Sequence, residues 1–304
     1  MRRLLLITNA TAYRTTPYQR EVIPRALAAE FKVDMTATTR PGDATILARQ
    51  AAVDGIEIVA AMGGDGTVNE VANGLAGTDS SLAIVPAGMA NVFARSLGIP
   101  NDPIEATGWL VENPNTPPRR VPLGRVDGRY FTVSCGVGLD AAIVREVDRR
   151  PRAKKRVGDW SFVWSGIQVF FRHYDRRVPR IDLSWGPLPE DRHGGLFLAI
   201  IQNTTPYTFF RNRAMRLCPD AELEGGLDVL ALDSLKVRVA LPVLLGAFGS
   251  ARHIRRRHVV SVTGRRRFDV RCEGSLLVQV DGELVGQHAR LAVESVPTAL
   301  NVLF

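Results

Sequence analysis

The sequence predicts two domains, an α/β domain built on a parallel sheet followed by a β-sandwich domain. Three observations carry that reading. Over residues 1–120, short apolar runs alternate with helix-like segments, the pattern of a parallel sheet covered on both faces. The string Pro114-Asn115-Thr116-Pro117-Pro118 then breaks the pattern. Beyond it, strand-like runs separated by turn pairs such as Asp127-Gly128 and Asp281-Gly282 dominate, which points to a sandwich or barrel-like domain.

Taken in order, residues 4–8 read as a first buried strand, 18–30 as a helix and 32–36 as a second strand. Residues 44–54 are helical, 56–61 form a strand, 67–75 a helix and 82–85 a further strand. Residues 90–97 make a short helix closed by Gly98. In the second part, strands are expected at 125–136, 181–185, 196–202, 227–231, 259–263, 268–273 and 276–280. Helices interrupt them at 160–174 and 237–257. The domains are therefore expected to cover 1–120 and 121–298.

With 304 residues, 45% of them hydrophobic and 23% charged, the chain is long enough for two sizeable cores and ordinary for a globular protein. Lys and Arg exceed Asp and Glu by 39 to 31, a formal net charge of +8. The excess suits an acidic partner such as a nucleotide or an anionic lipid surface, and it equally suits compositional drift. No zinc-finger or basic-region pattern is present, so nucleic acid is not expected as a partner. Cys135, Cys218 and Cys272 are widely spaced. No zinc site or redox dithiol is expected, and reduced thiols fit a cytoplasmic protein. The apolar run at the start is too short to span a bilayer and lacks a following cleavage signal, so membrane contact is expected to be peripheral.

The most informative segment is Met62-Gly63-Gly64-Asp65-Gly66-Thr67-Val68-Asn69-Glu70. Glycines between a strand and a helix let backbone amides approach an anion, and the helix N-terminus adds free N–H groups and a favourable dipole. The carboxylate of Asp65 at its centre would be repelled by phosphates unless a cation intervenes. The alternative is a tight turn with no ligand. Neither a Walker P-loop nor a dinucleotide fingerprint is present. A second turn, Pro86-Ala87-Gly88-Met89-Ala90-Asn91, follows the next strand. Three further segments carry carboxylates: Asp281-Gly282-Glu283, Glu224 with Gly225 and Gly226 after Ala221, and Asp140 behind Cys135-Gly136-Val137-Gly138. Each has a bland reading, as a hairpin turn, a surface loop and a helix cap respectively.

Together and in this order, these segments resemble the diacylglycerol kinase-like lipid kinase family, which includes bacterial diacylglycerol kinases, sphingosine kinases and ceramide kinases. The resemblance covers nearly the whole chain. It implies an N-terminal α/β domain and a C-terminal β-sandwich, with ATP and the active site in the cleft between them and residues 299–304 returning to the first domain. It implies that Gly63, Gly64, Asp65, Gly66, Thr67, Asn69 and Glu70 cradle ATP, with Asn9, Thr38, Gly88 and Asn91 near the nucleotide. Asp65, Asp281 and Glu283 would be the catalytic carboxylates, and Asp140 would lie near the lipid hydroxyl. Glu224, with the carbonyls of Ala221 and Gly226, would hold Mg²⁺. Three departures stand out. The family's first turn usually carries Asn-Pro-x-(Ser/Gly)-Gly and a basic residue, whereas here Asn9 remains without that Pro and Gly. The family's second turn usually reads Gly-Thr-x-Asn-Asp, whereas Met89 and Val92 replace the hydroxyl and the carboxylate here. Glu224 replaces an aspartate.

The function this implies is transfer of the ATP γ-phosphoryl group to a lipid hydroxyl, on diacylglycerol or a related lipid. Such an acceptor must be reached from a membrane. Residues 145–156, followed by Trp160, Phe162, Trp164, Phe170 and Phe171, suit an anionic interface, and so does the apolar run 241–248 followed by the arginines of 252–257. A protein associated with the inner face of the membrane is expected, and a second copy of the chain is a further candidate partner. Two other readings stand beside this one: an NAD kinase, which shares the Gly-Gly-Asp-Gly-Thr turn, and a non-catalytic lipid-binding regulator with the kinase fold.

Overall fold

A computed structural model describes residues 1–9, 16–149, 166–210, 212–249 and 251–304. The chain forms two compact units, 1–123 with 296–304, and 124–295. Among the described residues, no helix is long and apolar enough to cross a membrane.

The first unit contains β1 (Arg2–Asn9), α1 (Pro17–Leu27), β2 (Phe31–Thr38), α2 (Asp43–Val53), β3 (Ile58–Gly63), α3 (Asp65–Leu75), β4 (Ser81–Pro86), α4 (Val92–Ser96) and α5 (Pro103–Glu112). The strands run parallel in the order β4-β3-β1-β2, and residues 301 and 302 add a parallel strand beside Ser81 and Leu82. β3 and β4 are buried along their whole length, as central strands covered on both faces must be. On one face, Leu4, Leu6, Ile58 and Ala60 pack with Ile23 and Leu27 of α1 and Leu110 of α5. On the other, α2 and α3 approach so closely that a Cβ on Gly74 would lie 2.6 Å from the carbonyl oxygen of Thr45.

Helix α5 is absent from the sequence-based expectation. Its start is nevertheless written locally: Pro103 opens the first turn, and the Asp102 carboxylate accepts from the N–H groups of Ile104 (2.8 Å) and Glu105 (3.2 Å).

The second unit is antiparallel. The strand predicted over 125–136 is three strands in the structure; Asp127 and Gly128 both take positive φ and turn the chain at the first break, and a second break falls at Thr132 and Val133. These are β5 (Arg119–Val126), β6 (Arg129–Phe131) and β7 (Ser134–Gly138), after which α6 spans Leu139–Asp148. β8 (Ile181–Ser184), β9 (Arg192–Leu196), β10 (Leu198–Gln202), β11 (Thr208–Phe210), β12 (Arg213–Met215) and β13 (Leu227–Leu232) follow. Helix α7 (Val237–Ala247) leads to β14 (Val259–Arg265), β15 (Arg267–Val280) and β16 (Glu283–Val302). The helix predicted over 237–257 therefore ends at Ala247, and a short 3₁₀ turn covers Arg252–Arg255. The helix predicted over 160–174 lies partly outside the described residues.

β15 makes the sandwich. Its register shifts between Arg271 and Leu276. Before the shift it pairs with β8, and after it with β7. The sheet β14-β13-β10-β7 thereby continues into a second layer of β8, β9 and the middle of β16 around Arg290–Glu294. Val137, Ala199, Ile201, Val229 and Ala231 from one layer meet Ile181, Leu183, Phe268, Val270 and Val293 from the other in one dry cluster. The outer face of β10 and β13 presents Leu198, Ile200, Leu230 and Leu232, which are covered by Leu139 of α6 and Val243 and Ala247 of α7.

Candidate active site

In the first unit, the glycine-rich turn sits at the carboxyl end of β3, where parallel sheets place their ligands. A single residue, Gly64, separates β3 from α3. A Cβ on Gly63 would lie 2.5 Å from Thr67 Oγ1, because the Thr67 side chain folds back over the strand end. The second turn, after β4, touches the first. A Cβ on Gly88 would lie 2.5 Å from the Cα of Gly64, and one on Gly64 would lie 3.2 Å from the Cα of Gly88. The two turns meet backbone to backbone, with no room for a side chain between them.

Hydrogen bonds lock this contact. The Ala87 N–H donates to the Gly63 carbonyl (2.8 Å). The Asp65 carboxylate accepts from the Val92 N–H (2.6 Å), tying the start of α3 to the start of α4. Asn91 takes a left-handed conformation (φ 46) that short polar residues tolerate. Its side chain accepts from the Gly88 N–H (2.9 Å) and donates to the Gly88 carbonyl (3.1 Å) and to Asn101 (2.8 Å). Asn9, the last residue of β1, donates to Thr67 Oγ1 (3.2 Å), and Thr38 sits opposite Asn9 across β2. Asn69 is buried in α3 and accepts from Asn73 (3.1 Å).

Glu70 engages α2. Its two carboxylate oxygens accept from the N–H groups of Gly42 (2.9 Å) and Ala44 (3.0 Å). Gly42 is at φ 90 and supplies no side-chain cap of its own, so Glu70 satisfies the first turn of α2 from a neighbouring helix. Of the two residues at which the second turn departs from the pattern it resembles, Val92 buries its side chain and bonds Asp65 through its backbone, while Met89 is half-buried. Arg95, which the sequence reading did not single out, lies within electrostatic reach of Asp65. Burial lowers its pKa, and the Asp65 charge acts in the opposite direction.

In the second unit, Asp140 starts α6 and is buried. It accepts from the Tyr207 hydroxyl (2.6 Å) and from Gln279 Nε2 (2.7 Å). Desolvation pushes its carboxyl above the ordinary 3.8, and these two bonds pull the other way. Burial and the neighbouring Asp140 charge push the Tyr207 hydroxyl well above its ordinary value. Gly136 must be glycine, since a Cβ there would lie 1.7 Å from Asp140 Oδ2. Gln279 reaches two ways: its Oε1 accepts from the Gly282 N–H (2.7 Å). It therefore links Asp140 to the Asp281-Gly282-Glu283 turn. Nothing in the sequence singled out Gln279 or Tyr207.

The two carboxylates of that turn differ. Asp281, at φ 47, accepts from the N–H groups of Thr132 (2.7 Å), Val133 (2.9 Å) and Ser134 (2.9 Å) and from the Thr132 hydroxyl (2.7 Å). Glu283 pairs with the half-exposed Arg129.

The acidic loop places Glu224 at the surface and Ala221 in the interior. Gly226 takes φ 97, where a Cβ would lie 3.1 Å from the carbonyl of Arg265. Beside it, Asp228 is buried, and its Oδ1 accepts from the Gly264 N–H (2.7 Å). Its Oδ2 is buried and has no hydrogen-bond partner among the described residues. Burial raises the Asp228 pKa, and Asp220 and Glu222 raise it further. Among the described residues, no three His, Cys, Asp or Glu side chains converge as a metal cluster.

The model of the diacylglycerol kinase catalytic domain matches residues 3–123, and that of the YegS C-terminal NAD kinase beta sandwich-like domain matches residues 133–304. The chain is 29% identical over 296 residues to a diacylglycerol kinase of Bacillus subtilis, covering 94% of this chain and 91% of that protein. A crystal structure of a diacylglycerol kinase from Bacillus anthracis superposes with a TM-score of 0.73 at 19% identity, covering 99% of this chain and 96% of that one. An NAD kinase from Archaeoglobus fulgidus, solved in complex with ATP, shares the fold more distantly, with a TM-score of 0.54 at 10% identity over 99% and 93% of the two chains. The joined glycine turns of the first unit, the sandwich of the second and these matches lead to one conclusion: the chain belongs to the diacylglycerol kinase-like lipid kinase family and is a kinase.

Proposed function

We propose that this kinase uses ATP and Mg²⁺ to phosphorylate a lipid hydroxyl, on diacylglycerol or a related lipid, at the inner face of a membrane. The observation that supports it most is the backbone contact of Gly64 with Gly88. With no side chain between the turns, a polyphosphate can approach main-chain N–H groups at the start of α3. The name of the Bacillus subtilis relative and the ATP in the distant NAD kinase support the acceptor and the donor.

In this reading Gly63, Gly64, Gly66 and Thr67 hold the phosphates. Asn9 fixes the Thr67 hydroxyl, Thr38 lies alongside, and Asn69, Gly88 and Asn91 shape the pocket wall. Asp65 orients the reacting phosphoryl group, and Arg95 offsets charge beside it. When bound, Mg²⁺ neutralises charge on the transferring group, whose movement depends on positioning more than on covalent chemistry. Asp65 is the carboxylate that would hold the ion, and few further protein ligands would be needed. The unpartnered Oδ2 of Asp228 fits a second hard cation, with Glu224 and the carbonyls of Ala221 and Gly226 as further oxygen donors.

Asp140 receives the acceptor hydroxyl, and Glu283 takes its proton as the oxygen bonds the γ-phosphorus and the bond to the bridging oxygen breaks, releasing ADP. Asp281 supports that step from behind: with four donors on its carboxylate, it pins the Thr132, Val133 and Ser134 backbone under the turn. Glu70 serves the cradle in the same indirect way, by fixing α2 against α3.

The test is incubation with labelled ATP and a panel of diacylglycerol, sphingoid, inositol-lipid and isoprenoid acceptors, with NAD⁺ as a separate arm, followed by mass identification of products. A phosphorylated lipid is expected. Phosphorylated NAD⁺ alone would replace this reading with the NAD kinase one. ATP binding with no product in any arm would leave the regulatory one.

A further inference from the structure

Helix α7 is apolar on two sides. Val243 and Ala247 point into the cluster beneath β10 and β13. Val237, Leu241, Leu244 and Leu245 fall on another side at helical spacing and are exposed, Leu245 by 64%. No acidic residue occurs in the helix. A helix that is apolar all round normally has its outer face covered. Scattered exposed apolar residues need no explanation, but four on one stripe of an 11-residue helix do.

The charge around the stripe says what covers it. Arg238 flanks it, and Arg252, Arg255, Arg256 and Arg257 follow the helix, all exposed. Among the described residues, none of these five forms an ion pair. Ile167 and Phe171, also exposed, flank Val169, which belongs to the same buried cluster as Val243. An apolar stripe bordered by free guanidiniums matches an interface in which acyl chains lie beneath anionic headgroups. A soluble protein partner would match the leucines but would have to supply five compensating carboxylates.

We infer that the Val237–Leu245 face of α7 inserts into an anionic bilayer and docks the kinase on the membrane that carries its acceptor. The inference rests on the lipid-acceptor reading for its purpose, but binding is measurable without catalysis. The protein is sedimented with vesicles of phosphatidylcholine alone and of equal parts phosphatidylglycerol and phosphatidylcholine. The wild type is expected to bind the anionic vesicles selectively. Leu241→Glu/Leu245→Glu, at exposed positions, is expected to keep its thermal midpoint and to lose vesicle affinity by about a hundredfold. Arg255→Gln/Arg256→Gln/Arg257→Gln, which leaves the stripe intact, is expected to lose the preference for phosphatidylglycerol. Undiminished binding by the leucine variant would overturn the inference, as would a wild type that ignores anionic vesicles. A leucine variant that instead turns a dimer into a monomer without vesicles would assign the stripe to a second copy. Phosphorylation of detergent-dispersed lipid should be unchanged in the leucine variant. Failure of that reaction in the wild type would count against the lipid-acceptor reading and leave the docking result standing.

Discussion

The Asp65 carboxylate accepts the backbone N–H of Val92 at 2.6 Å, so one side chain joins the two turns of the cradle. This gives Asp65 a structural part that does not need its charge and a proposed chemical part that does. Asp65→Asn keeps an acceptor oxygen for Val92. It is expected to hold the thermal midpoint while lowering phosphoryl transfer by about a hundredfold or more. Asp65→Ala should lose both, with roughly 0.5–2 kcal/mol of stability going with the helix-start bond. Full activity in Asp65→Asn, measured as initial rate with saturating ATP, would remove the charge from the mechanism.

Gly64 and Gly88 offer a paired test of the backbone contact. Adding a methyl group to Gly88 meets Gly64 Cα at 2.5 Å and Asn91 Oδ1 at 2.7 Å, whereas one on Gly64 meets Gly88 at 3.2 Å. Gly88→Ala is therefore expected to destabilise the fold by about 1–3 kcal/mol and Gly64→Ala by less. Both should raise the KM for ATP. Urea unfolding and ATP titration of the two variants separate the effects. Equal stability for both would mean that the turns do not meet as described.

The fold class was legible because it is written in local periodicity. β3 and β4 read as apolar runs between helix-like segments, and the turns after them carry their own glycines. Long-range features were not legible. The side chains that bond Asp140 lie 67 and 139 residues away in the sequence, and neither Tyr207 nor Gln279 has a local motif to mark it. Of β16 only the end, 299–304, is expected, and that from the family resemblance and not from a local pattern. Glu70 shows the opposite problem. A carboxylate one turn into the glycine-rich helix reads as part of the cradle, and only the packing of α2 against α3 reveals where its oxygens go.

That placement separates Glu70 from its neighbours experimentally. Glu70→Ala strips the acceptors from Gly42 and Ala44 at the start of α2 and should cost roughly 0.5–2 kcal/mol in stability. The KM for ATP should change far less than in the glycine variants. A large KM effect at unchanged stability would return Glu70 to direct nucleotide contact.

Asp281 is expected to behave as an anchor. Asp281→Ala leaves three backbone N–H groups and one hydroxyl without their acceptor, a loss of about 3 kcal/mol or more. Glu283→Gln removes a carboxylate that pairs with a half-exposed arginine. It should leave stability within about 1 kcal/mol while lowering kcat. Denaturant midpoints together with kcat for the two variants distinguish anchor from proton acceptor. A stable, slow Asp281→Ala paired with a fully active Glu283→Gln would exchange the roles.

Asp140 makes a prediction about pH. Burial raises its carboxyl above 3.8, and the bonds from Tyr207 and Gln279 oppose that rise without cancelling it. The folded protein thus holds this proton to a higher pH than the unfolded chain does. As pH rises from about 4 through the raised value, the unfolded state releases the proton first, and this site's contribution to stability falls. Below the unfolded value the contribution is constant. Asp140→Asn removes the titration, so the urea midpoint should decline less with rising pH in the variant than in the wild type. Gln279→Leu removes a bond that favours the ionised form, which should raise the Asp140 pKa further and extend the decline to higher pH. It also releases the Gly282 N–H. If Asp140 receives the acceptor hydroxyl, the acid limb of the kcat profile should then move upward in the same variant. A stability profile that shifts while the kcat profile stays fixed would confine Asp140 to the interior and separate it from the reaction.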